Sequence, residues 1–195
     1  MTKSETRRGE AREDIVRNVL EIIAENGIES VTHRSAAAKA GVSPGTVTYH
    51  FATRDALIDA ALTQYVSEYQ AGLGQAVAAQ PIVDREALVR FLVGTTALQP
   101  DHLTLSIIEA EMALLAQRTG RLAGVLQAWQ RSIEPILSEV LEAIGIGRPV
   151  EAARTLVAIC RGTEFEVMAR GAGIEPATLQ ARLEAALTGL GGQHA

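Results

Sequence analysis

Thr32-His33-Arg34-Ser35-Ala36-Ala37-Ala38-Lys39-Ala40-Gly41-Val42-Ser43-Pro44-Gly45-Thr46-Val47-Thr48-Tyr49-His50-Phe51-Ala52-Thr53-Arg54-Asp55 reads as two short helical segments with a sharp corner between them. Thr32 is an N-cap residue and Ser35 follows three positions on. Ala36, Ala37 and Ala40 put methyl groups on one face, so a second helix can approach closely. Gly41 reaches the left-handed conformation without steric cost, stops the first helix and turns the chain. Val42 fills the corner. Ser43 caps the next helix, and Pro44 at its first turn gives up an N–H that had no partner. Val47 and Phe51 face back onto the alanines. Ser43, Pro44, Thr46, Thr48, Tyr49 and His50 are left pointing outward. A second helix with such a face, flanked by arginines, suits a DNA major groove.

The arrangement Ala40-Gly41-Val42-Ser43-Pro44-Gly45-Thr46-Val47-Thr48-Tyr49-His50-Phe51 resembles the tetracycline-repressor (TetR) family of bacterial transcriptional regulators. The preceding Thr32-His33-Arg34 and the following Thr53-Arg54-Asp55-Ala56-Leu57 resemble it too. The likeness runs from about Ile15 to Leu62. Where many members carry an aromatic, this chain has Thr48, so Thr48 and Tyr49 divide its DNA-contacting role. The resemblance implies an all-α protein. A three-helix DNA-binding head over residues 1–53 would be followed by a ligand-binding and dimerisation bundle over 54–195. It implies double-stranded operator DNA as partner, a homodimer and a small-molecule effector. It makes Thr32, His33, Arg34, Ser43, Pro44, Thr46, Thr48, Tyr49, His50 and Arg54 the expected DNA-contacting set. Arg34 and Arg54 are the expected phosphate anchors, each near a helix N-terminus.

Composition agrees with a helical chain. Of the 195 residues 47% are apolar and only 4% aromatic, and β-branched alternation is scarce. A single cysteine, Cys160, excludes an internal disulfide and fits a reducing compartment. No apolar stretch follows the first residues as in a signal peptide, and none is long enough to span a membrane, so a cytoplasmic location is expected. The net charge of −5 runs against DNA binding until its distribution is read. Residues 1–55 hold eight Lys/Arg and eight Asp/Glu, leaving ten against fifteen in the remainder. The head is neutral, so affinity must rest on a few placed arginines and on two heads acting together.

Around the corner, the pattern predicts a first helix over about 6–26 with Ile15, Val19, Ile22 and Ile23 inward. Arg7 and Arg8 are either a basic arm on DNA or a solvated terminus. Thr53 caps a long helix to about Ala79, with Leu57, Ala61, Tyr65 and Tyr69 on one face. In TetR-like proteins this helix joins head to bundle, and its tilt sets the spacing of the two heads. Helices are further predicted over about 84–99, 102–118, 120–144, 151–170 and 176–190. Pro100-Asp101 breaks the chain between the first two of these. Pro135 should kink the third unless the helix restarts there. The run from His102 is apolar nearly all round, which predicts burial in the middle of a domain.

The C-terminal half is loosely similar to one TetR-like subgroup, in which the last two helices pair with those of a second subunit. Relatives often show Asp-Gly where this chain has Arg161-Gly162, and a leucine-like residue at Glu164. Arg161 and Glu164, three apart, form either a salt bridge or part of a ligand pocket. Glu109 and Glu111, inside an apolar run, need partners that an arginine or a ligand could supply. Trp129 is core packing or a ligand platform. An all-helical enzyme is the rival class, with His102, Glu109 and Glu111 as its nearest approach to a catalytic or metal cluster. That spacing does not put His102 on one face with both carboxylates, and no catalytic, metal or cofactor motif is present. A helical adaptor that keeps the head without its use is the third class.

Overall fold

The computed structural model describes residues 3–97, 102–171 and 173–191, with backbone alone at 3–8, 102, 103, 105, 130 and 191. Among the described residues every regular element is helical. In chain order they are α1 (Lys3–Asn26), a single 3₁₀ turn (Ile28–Ser30), α2 (His33–Ala40), α3 (Pro44–His50), α4 (Arg54–Ala79), α5 (Arg85–Ala97), α6 (His102–Thr119), α7 (Ala123–Ala143), α8 (Pro149–Arg170) and α9 (Pro176–Gly191). The break expected at Pro100-Asp101 lies outside the described residues, and so do the Arg7, Arg8 and His102 side chains.

The chain gathers into two compact units: Met1–Tyr69 with Ile107–Leu126, and Gln70–Ser106 with Gln127–Ala195. By these contacts α4 is shared between the two units. The first half of α4 stays with the head because Leu57, Ile58, Ala61 and Leu62 are buried there. In the first unit α2 packs against α1 and α3. The inward stripe of α1 (Ile15, Val19, Ile22 and Ile23) is buried as its spacing requires, and Ala36, Ala37, Val47 and Phe51 close the core from the other side. In the second unit α9 packs on α5 and α8. Its stripe of Leu179, Leu183 and Leu187 is buried, against a core that includes Leu88, Leu156 and Leu141.

Of two further sequence expectations, the alternative of a restart at Pro135 does not occur, and the burial of α6 is incomplete. The helix α7 runs through Pro135 without restarting. Pro135 and Arg131, four residues back, are both exposed, so the carbonyl that loses its partner faces water. The apolar α6 is not buried on every side. Ile108 and Met112 are buried, but Leu114 is 49% exposed and Leu115 half-buried.

Gly41 holds φ +67° with nothing near the position of an added Cβ, so an alanine there meets only backbone strain. Gly41→Ala is expected to destabilise the head by about 1–2 kcal/mol. Gly72 lies in the exposed interior of α4, again with open space around it. Gly72→Ala is expected to stabilise by about 0.5–1 kcal/mol. Urea denaturation followed by circular dichroism checks both signs.

Candidate nucleic-acid interface and bundle interior

The corner between α2 and α3 is built entirely from caps. Thr32 Oγ1 accepts from Ser35 N–H at 2.9 Å while Thr32 N–H donates to Ser35 Oγ at 2.8 Å, a reciprocal capping box. Ser35 Oγ also donates to Ser30 O at 2.9 Å, which ties the box to the 3₁₀ turn. At the other end Gly41 is left-handed, and Val42 N–H bonds back to Ala37 O at 3.0 Å, a Schellman closure. One residue later Ser43 Oγ accepts from Thr46 N–H at 3.0 Å, with Pro44 in the first turn. The direction of α3 is thus fixed within three residues of the end of α2.

Two side chains lock the far end of α3. His33 Nε2 donates to Phe51 O at 2.7 Å; a carbonyl can only accept, so this nitrogen carries the proton. Arg54 Nε donates to Val31 O at 2.6 Å, and its Nη2 donates to Ile28 O at 2.7 Å and pairs with Glu29 at 3.1 Å. Arg12, which sequence patterning did not single out, lies over the Phe51 ring at 5.3 Å.

The ten residues expected to contact DNA therefore divide. Arg34, Ser43, Pro44, Thr48 and Tyr49 are exposed along the corner and α3, and Tyr49 stands 67% exposed. Thr46 and His50 are half-buried on the same helix, with the His50 ring edge-on to Tyr49 at 5.2 Å. Thr32, His33 and Arg54 hydrogen-bond to the head's own backbone. Arg54 in particular binds carbonyls and a carboxylate of the head, which differs from a guanidinium standing ready for phosphate. Only the Arg54–Asp55 pair at the start of a helix was visible in the sequence; the carbonyls it reaches are more than twenty residues away.

A second arginine anchors α4. Arg121, in the corner between α6 and α7, pairs with Asp59 at 2.6 Å and Asp55 at 2.7 Å and donates to Asp55 O at 3.0 Å. The hydrogen bond with Asp59 is the main reason its guanidinium holds its proton still more firmly than usual. Its neighbours Gly120 and Leu122 both have positive φ, and Leu122 is one of two described non-glycine residues that do. Backbone strain of this kind persists only where surrounding contacts hold it.

The expected pocket residues are drawn from both units. Glu109 and Glu111 belong to the first unit and Trp129, Arg161 and Glu164 to the second. Glu109 accepts from the Tyr65 hydroxyl at 3.2 Å, and a Glu111 oxygen lies 3.2 Å from where a side chain on Gly27 would begin. In the second unit Trp129 is buried, and the Arg161 guanidinium lies over its ring at 4.6 Å. Arg161 is therefore held by the tryptophan face in a cation–π contact, which an i to i+3 spacing could not reveal. Nearby on α8, Arg182 of α9 donates to Thr163 Oγ1 at 3.0 Å and to Glu166 at 2.8 Å.

The chain's two halves match two family models: bacterial regulatory proteins of the tetR family over residues 15–61, and the tetracyclin repressor-like C-terminal domain over residues 83–193. The chain belongs to the TetR family of transcriptional regulators. A transcriptional regulator from Rhodococcus sp. Rha1 is similar over 92% of this chain and 95% of its own, with 25% identity and a TM-score of 0.78. A TetR-family member from Streptomyces coelicolor A3 is 30% identical over 91% of this chain and 98% of its own, with a TM-score of 0.69. The multidrug binding protein EbrR, solved with ethidium, is likewise 30% identical over 91% and 98%, with a TM-score of 0.67. No significant match is found among curated proteins. TetR-family membership removes the enzyme class, because these regulators are DNA-binding transcription factors. Among the described residues no helix is long and apolar enough to cross a membrane.

Arg54→Lys keeps the charge but cannot span two carbonyls with a planar fork. It is expected to lower head stability by about 1–2 kcal/mol in thermal or urea unfolding. Burial pushes the Cys160 thiol up to about 11, against a weaker opposing hydrogen bond with Thr96. A folded-state value above the unfolded one means that the fold favours the neutral thiol. Its contribution is complete below about pH 9 and is lost as pH rises to about 11, by ~2–3 kcal/mol in all. Stability curves of the natural chain and Cys160→Ala should therefore run parallel at neutral pH and converge over that window.

Proposed function

We propose that the chain is a homodimeric repressor whose α3 helices read a roughly palindromic operator and which a small molecule releases. The observation that carries this reading is the α2–α3 corner. Both helix starts and the end of α2 are capped there, while the outer face of α3 is left exposed. A rigid helix with an uncovered polar face is suited to a groove.

The dimer is supported by α8, where Phe165 stands 66% exposed beside Gly162 and Ala158, also exposed. A large exposed aromatic beside small residues on one helix face is a surface that a second chain can cover. A small-molecule effector is supported by the likeness to EbrR, which was solved with ethidium. For this chain, Trp129 and Arg161 are the residues with which such a molecule would exchange contacts. Release follows if the molecule binds better to a state whose heads no longer fit successive major grooves, roughly 34–36 Å apart. Operator and effector then weaken each other by the same factor.

Arg34, exposed in the first turn of α2 and with no hydrogen bond or ion pair among the described residues, is the proposed phosphate anchor. Titration of the protein with DNA flanking its own gene, at two salt concentrations and against unrelated competitor DNA, tests the reading. The natural chain should bind the flanking DNA tightly in the presence of competitor. Arg34→Ala should weaken operator and unrelated DNA alike and reduce the salt slope by about one unit. Full retention of affinity by Arg34→Ala would refute this docking of the head.

A further inference from the structure

The outer face of α3 has an unusual chemistry for a helix that reads bases. Pro44–His50 runs Pro-Gly-Thr-Val-Thr-Tyr-His and contains no Arg, Lys, Asn or Gln. Those are the side chains that recognise guanine O6 and N7, or adenine N6 and N7, through paired or strong hydrogen bonds in the major groove. Apart from that of the exposed Tyr49, the hydroxyls that remain are turned back onto the helix and its cap. Thr48 Oγ1 donates to Pro44 O at 3.0 Å. Thr46 Oγ1 and Ser43 Oγ lie 2.9 Å apart, and Ser43 Oγ also takes the Thr46 N–H.

A threonine whose hydroxyl is turned back along its own helix, to Pro44 O at Thr48 and to the capping Ser43 Oγ at Thr46, presents its γ-methyl away from that bond. Thr48 is exposed and Thr46 half-buried, and Gly45 beside Thr46 adds no side chain. A Cβ on Gly45 would approach only Ser43 Oγ, at 3.6 Å, so the space in front of the helix is open. The leading part of the face is thus made of two methyl groups, a proline ring and a bare Cα. One base-pair edge in the major groove offers an apolar group to such a face: the C5-methyl of thymine.

We propose that α3 reads its operator through thymine methyl groups, with the γ-methyls of Thr48 and Thr46 as the specificity-determining contacts and Gly45 permitting close approach. This rests on the reading of α3 as the groove-entering helix. It makes a distinctive demand on the DNA: the signal is the methyl itself and not the hydrogen-bonding pattern of the base. Uracil, identical to thymine apart from that methyl, must be read as the wrong base. 5-Methylcytosine, which carries a methyl at the same place, must be read as partly right.

The test uses the full-length chain. Random duplex DNA is enriched for binding, and the half-site beneath α3 is located by interference footprinting. Thymines in that half-site are then replaced singly by uracil. Loss of one buried methyl is expected to weaken binding about fourfold, and roughly fifteenfold when both half-sites are changed. Thr48→Ser keeps the hydroxyl and removes the methyl, and should lose the preference for thymine over uracil at one position. Thr48→Val keeps the methyl and removes the hydroxyl, and should retain it. Where a T·A pair is exchanged for C·G, 5-methylcytosine should recover part of the loss that cytosine causes.

Melting temperatures of the variants separate misfolding from lost readout, because the preference is a ratio measured on one protein. Indifference to uracil at every position would overturn the proposal, and so would a preference that survives in both Thr46→Ser and Thr48→Ser. A half-site with no thymine beneath α3 would also overturn it. If enrichment returns no sequence above random DNA, the reading of α3 as a groove helix fails first, and this inference with it.

Discussion

The left-handed Gly41 and the capping serine two residues later are the constraint on which the rest of the molecule depends. Together they turn the chain between α2 and α3 with no flexible linker, and the Val42 bond to Ala37 closes the turn. A helix of seven residues has almost no stability of its own. The helix α3 exists because Ser43 starts it, Val47 is buried against α1 and α2, and His33 and Arg54 hold the backbone on either side of it. Its outer residues are then free to be chosen for what they touch rather than for what they hold.

That division of labour explains how a neutral head can serve a DNA-binding protein. The arginines near the interface do different work. Arg54 binds backbone carbonyls, Arg12 covers an aromatic ring, and Arg121 holds the start of α4 through two aspartates. Arg34 is left exposed, which is why it is the proposed phosphate anchor. In the proposed dimer, few phosphate contacts per head would make affinity depend on two heads held at the right spacing. The proposed dimer would be released by any change that spoils the spacing. The corner at Arg121 matters for that reason, because it pins the helix that leaves the head.

Local chemistry was legible in the sequence and long-range pairing was not. The Thr32 cap, the Gly41 stop, the Ser43-Pro44 start and the inward stripes of α1 and α9 follow from spacing and turn residues alone, and the structure has each of them. Pairing of side chains on distant segments leaves no periodic trace. The sequence therefore offers Arg54 as a phosphate anchor and carries no sign of the Val31 and Ile28 carbonyls that it binds. Spacing pairs Arg161 with Glu164 one turn on, whereas its ring partner Trp129 comes from another helix. The five expected pocket residues stand out in sequence as polar or aromatic positions in apolar runs, and the fold divides them between two units. Burial of α6 is overestimated from sequence because an apolar helix shows how much surface could be covered, not how much its neighbours cover.

The central claim is that two copies of this head, carried by one dimer, read two half-sites through α3. Hydroxyl-radical footprinting of the chain on its enriched operator tests it most directly. The account predicts two protected patches on one face of the duplex, with centres about one helical turn apart and related by two-fold symmetry. A single protected patch, or protection that runs uniformly along the fragment, would contradict it.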